Sequence, residues 1–318
     1  MDQTTPVSAP RAPMQKIDGP GILFSFGWKM FTSHWKTLAP ILIIPAVISF
    51  VGRLLGLIGG PVGAILAILL GIAGVVFSIA MIPAMIDAVD KVSKGMPAML
   101  KGQYRFGFSM FWSTLLVVII NGLVGFGSFA LFVIPGIVMV VYGCLYTFTF
   151  VLDGKRGFGA LTESYSLVHG RWWPVFGRGL LLVIVLGVCW AIISFIVALI
   201  FMHGSVGIML VPFILQILAS IILVPIALGY VYKMYQSLKA TRDMSVQTRT
   251  FKGWLIAFLV LGILAVIAMI TIIPAIMFAA LSNARLNDPA FQSQLQTYGN
   301  TNTVNPYEKY ENTPSAIN

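Results

Sequence analysis

The sequence predicts an all-α polytopic membrane protein of about seven transmembrane helices, with amphipathic helices at the cytoplasmic interface. Three observations lead there. The 318 residues are 58% hydrophobic and 9% charged, whereas a soluble domain carries roughly 25% charged residues; so few charges cannot cover a soluble surface of this size. Seven apolar runs approach or exceed the roughly 20 residues that cross a bilayer as a helix. Lysine and arginine then fall in alternate connections between those runs.

Residues 1–20, MDQTTPVSAPRAPMQKIDGP, are polar and proline-rich and contain no apolar h-region. They are expected to be a disordered cytoplasmic tail rather than a cleavable signal. Spans follow at 37–58, 62–87, 110–133, 134–152, 174–202, 205–235 and 253–281. The third and fourth are separated only by the turn at Ile134, Pro135 and Gly136, so a re-entrant pair over 110–152 with five full spans is the alternative. This divides the chain into the tail 1–20, a membrane core 21–242 that reads as a six-span repeat, a linker and additional span 243–282, and a polar disordered tail 283–318.

The basic residues set the expected orientation. The N-terminal segment holds Arg11, Lys16, Lys29 and Lys36, and the second-to-third connection Lys91, Lys94, Lys101 and Arg105. The fourth-to-fifth holds Lys155, Arg156, Arg171 and Arg178, and the sixth-to-seventh Lys233, Lys239, Arg242, Arg249 and Lys252. Of the 20 Lys and Arg only Arg53, Arg285 and Lys309 are left over. Positive residues stay cytoplasmic. The N terminus is therefore expected inside and, after seven spans, the C terminus outside. The net charge of +10 is then a topology signal strengthened by anionic lipid, and it requires no nucleic acid.

Between the fourth and fifth spans, GFGALTESYSLVHGRWWPVF (157–176) is too polar to cross a bilayer. Phe158, Leu161, Tyr165, Val168 and Trp172 recur at spacings of 3, 4, 3 and 4, one face of an α-helix. The segment reads as a helix lying flat on the cytoplasmic leaflet. Tyr165 and Trp172 would face the acyl boundary or neighbouring spans, with Thr162 and Ser166 in water. Trp172 and Trp173 suit the headgroup level, and Pro174 suits the first turn of the next helix. The same design occurs from Gly21, where Leu23, Met30 and Trp35 align with Leu161, Val168 and Trp173. A looser copy begins at Leu100, with Tyr104 and Trp112 at the places of Tyr165 and Trp173. The copies are unevenly spaced.

These residues resemble a bacterial polytopic membrane-domain superfamily. It includes the membrane domain of some glycerophosphodiester phosphodiesterases and stand-alone inner-membrane proteins of uncharacterised role. The matching residues are the turn Ile134, Pro135 and Gly136, then Ala160, Leu161, Ser164, Leu167 and Gly170, and a closing span from Val224. The resemblance covers about residues 20–242. It implies architecture and is nearly silent on activity. The chain has no soluble catalytic domain to match those of the fused relatives, and it adds a seventh span and a polar tail.

No constellation in the sequence points to catalysis, a cofactor or a metal. His34, His169 and His203 fall in different connections, and Cys144 and Cys189 lie in apolar runs without a CxxC spacing. Asp87 and Asp90 sit beside Lys91 and Lys94 and read as a solvated cluster. Glu163 reads as part of a solvated helix face. The span centres offer mainly Asn121 and Gln216, where coupled transport keeps ionisable groups. Prolines 45, 83, 135, 212, 225 and 274 interrupt spans, and Gly52, Gly56 and Gly60 have the spacing of close helix contact, read here as internal packing. The expectation is a non-enzymatic scaffold or accessory protein of the bacterial inner membrane. Lys155, Arg156, Arg171, Trp172 and Trp173 are its candidate contacts to lipid headgroups. Its partners are membrane lipids, with a membrane-protein partner or a second copy left open. A transporter or channel-like protein for a small or lipidic solute is the alternative, and a membrane-embedded enzyme comes third.

Overall fold

In the computed structural model, residues 17–57, 60–201, 211, 215, 217–242, 246 and 248–294 are described. Every regular element among them is helical. Seven helices are long and apolar enough to cross a membrane: Pro20–Gly56, Gly60–Ser93, Phe111–Leu131, Val133–Leu152, Trp172–Ile200, Ile221–Ala240 and Arg249–Ala284. The protein is a polytopic all-α membrane protein. The expected tail 1–20 lies mostly outside the described residues, as do much of 205–216, including Gln216, and the chain beyond 294.

The chain forms two compact units, Met1–Gly262 and Ile263–Asn318. The first begins with α1 (Pro20–Leu57), whose 38 residues make about 57 Å of helix at 1.5 Å per residue. That is roughly twice the hydrocarbon thickness, and the helix divides accordingly. At His34 the backbone leaves the helical region (φ −129°, ψ 18°), separating an interfacial piece from the span proper. α2 (Gly60–Ser93) returns along α1. Gly52 and Gly56 meet Leu70 and Ala67 there, so this glycine run packs two helices of the same chain. Two short helices follow different rules from the spans. α3 (Leu100–Ser109) and α7 (Phe158–Val168) are too short to cross a bilayer, and each leads directly into a span.

α4 (Phe111–Leu131) is long and apolar enough to cross a membrane, and so are α5 (Val133–Gly143) and α6 (Tyr146–Leu152) taken together. The turn at Pro135 is the first turn of α5, where a proline's missing N–H is not needed. The α5–α6 span breaks at Cys144 and Leu145. α8 (Trp172–Phe201) is the fifth span. A π-helical stretch, Ala219–Leu223, leads into α9 (Val224–Ala240). Pro225 sits in the first turn of α9, and the wider π-turn before it accommodates a residue with no N–H to give. α10 (Arg249–Leu286) contributes its start, through Gly262, to the first unit. The remainder belongs to the second unit, where Ile270, Phe278 and Leu281 are exposed.

The core of the first unit is apolar and dense at the end where the basic connections gather. Leu23, Leu38 and Ile41 of α1, Ile86 of α2, Leu145, Val168, and Tyr230, Tyr232 and Leu238 of α9 are essentially inaccessible. α9 approaches α1 so closely that a Cβ on Gly229 would lie 2.9 Å from the Cα of Gly27. α10 docks on α4 the same way, because a Cβ on Gly127 would overlap the carbonyl oxygen of Phe258, and one on Gly262 that of Leu123. Small residues let backbones meet where hydrophobic exclusion cannot drive association.

The candidate site at the charged end

The three similar segments found in the sequence share one plan. Leu23 and Leu161, at matching places, are buried, and so are Met30 and Val168. Trp35, Trp112 and Trp173 are 50%, 77% and 74% exposed, each at the foot of its span. The helical breaks come at His34, at Met110, and between His169 and Arg171. Tyr104 and Tyr165 both point their rings inward, and burial pushes both phenols upward, that of Tyr104 to about 12. The Tyr104 hydroxyl donates to the carbonyl of Ile41 at 2.6 Å.

α7 corrects one expectation. Thr162 and Ser166 are not in water: they are 7% and 5% exposed, and Ser164 is fully buried. The reason is the broken span beside it. The break leaves the Leu145 N–H and the Tyr142 carbonyl without helical partners, and such groups are costly in an apolar medium. Ser164 serves both. Its Oγ accepts from Leu145 N at 3.2 Å and donates to Tyr142 O at 2.6 Å. Thr149 of α6 donates in turn to the Ala160 carbonyl at 2.8 Å. Ser164 is turned toward the protein because it closes the gap between α5 and α6, whereas Thr162 and Ser166 are buried with their hydroxyls donating to the Gly159 and Glu163 carbonyls of their own segment.

α9 organises the charges. Tyr232 donates to Asp90 Oδ1 at 2.8 Å, within 2.8 Å of Ser93 Oγ, and accepts from Gln236 at 2.6 Å. Tyr235 donates to Asp153 Oδ2 at 2.8 Å, and Lys239 pairs with the other oxygen of Asp153. Arg242 pairs with Glu163, Lys233 with Asp18, Lys94 with Asp90 and Lys91 with Asp87. Glu163, Asp87 and Asp90 are therefore largely shielded members of ion pairs, not a solvated cluster or face. Asp18, Asp90, Asp153 and Glu163 come from three segments far apart in sequence, and α9 with Arg242 just beyond it gathers them, whereas Asp87 pairs within its own helix. Sequence reading missed this hub, since Tyr230, Tyr232 and Tyr235 look like ordinary interfacial aromatics.

The five candidate headgroup contacts divide into two sets. Lys155 and Arg156 are exposed. Arg156 donates to Ser113 Oγ at 2.6 Å and lies 5.6 Å from the centre of the Phe150 ring. Trp173 is exposed beside them in character, if not in contact. Arg171, in contrast, is 9% exposed and donates to the hydroxyl and carbonyl of Thr241, closing the C-terminal end of α9. Trp172 is half-buried, stacks on Phe176 at 5.0 Å, and has an indole N–H without a partner among the described residues. Together with Lys155 and Arg156, the exposed Lys29, Lys36, Lys101, Arg105, Arg249 and Lys252 have no carboxylate partner among the described residues. Among those residues no group of three His, Cys, Asp or Glu could hold a metal ion.

The fold and this end of it define a class: a polytopic α-helical membrane protein whose basic end carries, among the described residues, more exposed cations than carboxylates pair with. Comparison with protein-family models, with curated proteins and with solved structures gives no match.

Proposed function

We propose that the protein is a non-enzymatic scaffold or accessory protein of a bacterial cytoplasmic membrane. Its N terminus is inside, its C terminus outside, and its charged end holds anionic lipid headgroups. The observation that carries this reading is the imbalance at that end. Asp18, Asp87, Asp90, Asp153 and Glu163 are all engaged by structural cations, while eight exposed cations have no carboxylate partner among the described residues. A charged surface of that kind is balanced by phosphate in an anionic leaflet. The exposed tryptophans at the feet of three spans suit the same headgroup level. Kinship with the membrane-domain superfamily is part of the proposal, and Ser164 supports it: the serine of the resemblance is the hydroxyl that closes the broken span.

Extraction of the membrane-embedded protein into polymer-bounded lipid discs tests the reading. Wild-type discs are expected to be enriched in phosphatidylglycerol over the bulk membrane. Each basic residue near an anionic surface contributes about 1 kcal/mol, so Lys155→Gln with Arg156→Gln reduces the enrichment severalfold. Equal composition in the discs and the bulk membrane would overturn it. So would lipid or phosphodiester hydrolysis by purified protein that is lost in Glu163→Ala or His169→Ala.

A further inference from the structure

We infer that one anionic phospholipid seats an acyl chain in a defined cleft of the first unit, with its headgroup at the foot of α8; this rests on the lipid-contact reading and deepens it. The cleft has a volume of about 360 Å³, opens on one side, and is walled by α4, α5, α8 and α9. Its lining is apolar almost throughout, including Val140, Val175, Gly179, Val183 and Met234. From Val175 to Val183 α8 rises about 12 Å, close to one leaflet of a hydrocarbon core roughly 30 Å thick. The cleft thus accepts a chain lying along the bilayer normal in the leaflet that adjoins the charged end.

Three features at its charged end fit a lipid phosphate. Trp172, Phe176, Gly179 and Val183 follow one another at helical spacing on α8, so Trp172 stands at the foot of the stripe that walls the cleft. Its ring stacks on Phe176, which lines the cleft, and its indole N–H is buried and unpartnered among the described residues. Arg171 immediately precedes Trp172 and Arg178 lies about one and a half turns further along α8, both on the same side of that stripe, and neither forms an ion pair among the described residues. Arg171 donates to Thr241, and Arg178 to the carbonyls of Ile17, Asp18 and Pro174. Two guanidinium charges there lack a counter-anion within the described protein, and a phosphate supplies one. A zwitterionic lipid or a free fatty acid fits the cleft less completely, because each lacks either the net charge or the phosphate.

Gly179 makes the test clean. A Cβ at Gly179 meets nothing within 4 Å, so Gly179→Leu fills the cleft without displacing backbone. The full-length protein is stripped of lipid in detergent. Native mass spectrometry then follows retention of dioleoyl-phosphatidylglycerol, dioleoyl-phosphatidylcholine and oleic acid. Wild type is expected to retain one phosphatidylglycerol in preference to the other two. Gly179→Leu loses it at an unchanged melting temperature, and Trp172→Phe, which keeps the ring and removes the donor, weakens it about tenfold. No retained lipid in wild type, or equal retention in Gly179→Leu, overturns the inference. Retention unaffected by Trp172→Phe, or equal for the three probes, overturns the headgroup assignment. Loss of this one lipid with disc enrichment intact removes the cleft alone. Absence of disc enrichment with the lipid still retained removes the surface reading alone.

Discussion

Ser164 shows how much one side chain carries here. It satisfies a donor and an acceptor that the broken span leaves free. Ser164→Ala strands both in an apolar surrounding, at about 1–3 kcal/mol for a buried group left unpaired. Ser166 is buried too, yet its hydroxyl donates to the carbonyl of Glu163 within its own helix. Ser166→Ala therefore costs much less, and equilibrium unfolding of the two variants in detergent separates them. Equal losses would mean that Ser164 is only a packed small residue. This is also where polarity misleads a reader of sequence. The apolar stripe of α7 was legible from its spacing, but a hydroxyl that meets water and one that mends a broken helix look alike. Only the neighbouring break, which the sequence disguises as continuous apolar chain from Val133 to Leu152, distinguishes them.

Among elements, α10 and α9 dock by different means and respond to different changes. α10 rests on α4 through Gly127 and Gly262, where any Cβ overlaps a carbonyl of the facing helix. Gly127→Leu is expected to separate the start of α10 from α4 and to lower the melting temperature by several degrees, consistent with overpacking costs of about 1–3 kcal/mol. Gly122, on the same helix, has open space at its Cβ, and Gly122→Ala leaves the melting temperature unchanged or raises it. α9 is held by long-range polar bonds. Tyr235→Phe removes the Asp153 contact and is expected to cost about 1.5–3 kcal/mol, the range for a hydrogen bond to a charged group. The spans themselves could be read from hydropathy because each must be apolar along its full length. The α9 hub could not, since Asp90 and Asp153 lie in other connections and nothing in local spacing links them to Tyr232 and Tyr235.

At the scale of the whole molecule, the alternation of basic connections and the structure's charged end agree on one point: the charges belong together. Segments around residues 18, 90, 153–171 and 233–242 are joined by direct bonds. The proposed lipid contacts depend on that end facing the anionic cytoplasmic leaflet. Reporter fusions after Asp243 and after Leu281 should accordingly lie on opposite sides of the membrane, and fusions reporting the same side would remove the seventh crossing. The most direct measurement of the account is side-specific thiol labelling in a background with Cys144 and Cys189 replaced by serine. Lys101→Cys, Lys155→Cys and Lys252→Cys are to be labelled by an impermeant maleimide in inverted vesicles and protected in right-side-out ones, with Val62→Cys and Phe132→Cys never labelled from the cytoplasmic side. Labelling of Lys155→Cys from the outside, or of Lys101→Cys and Lys155→Cys from opposite sides, would contradict it.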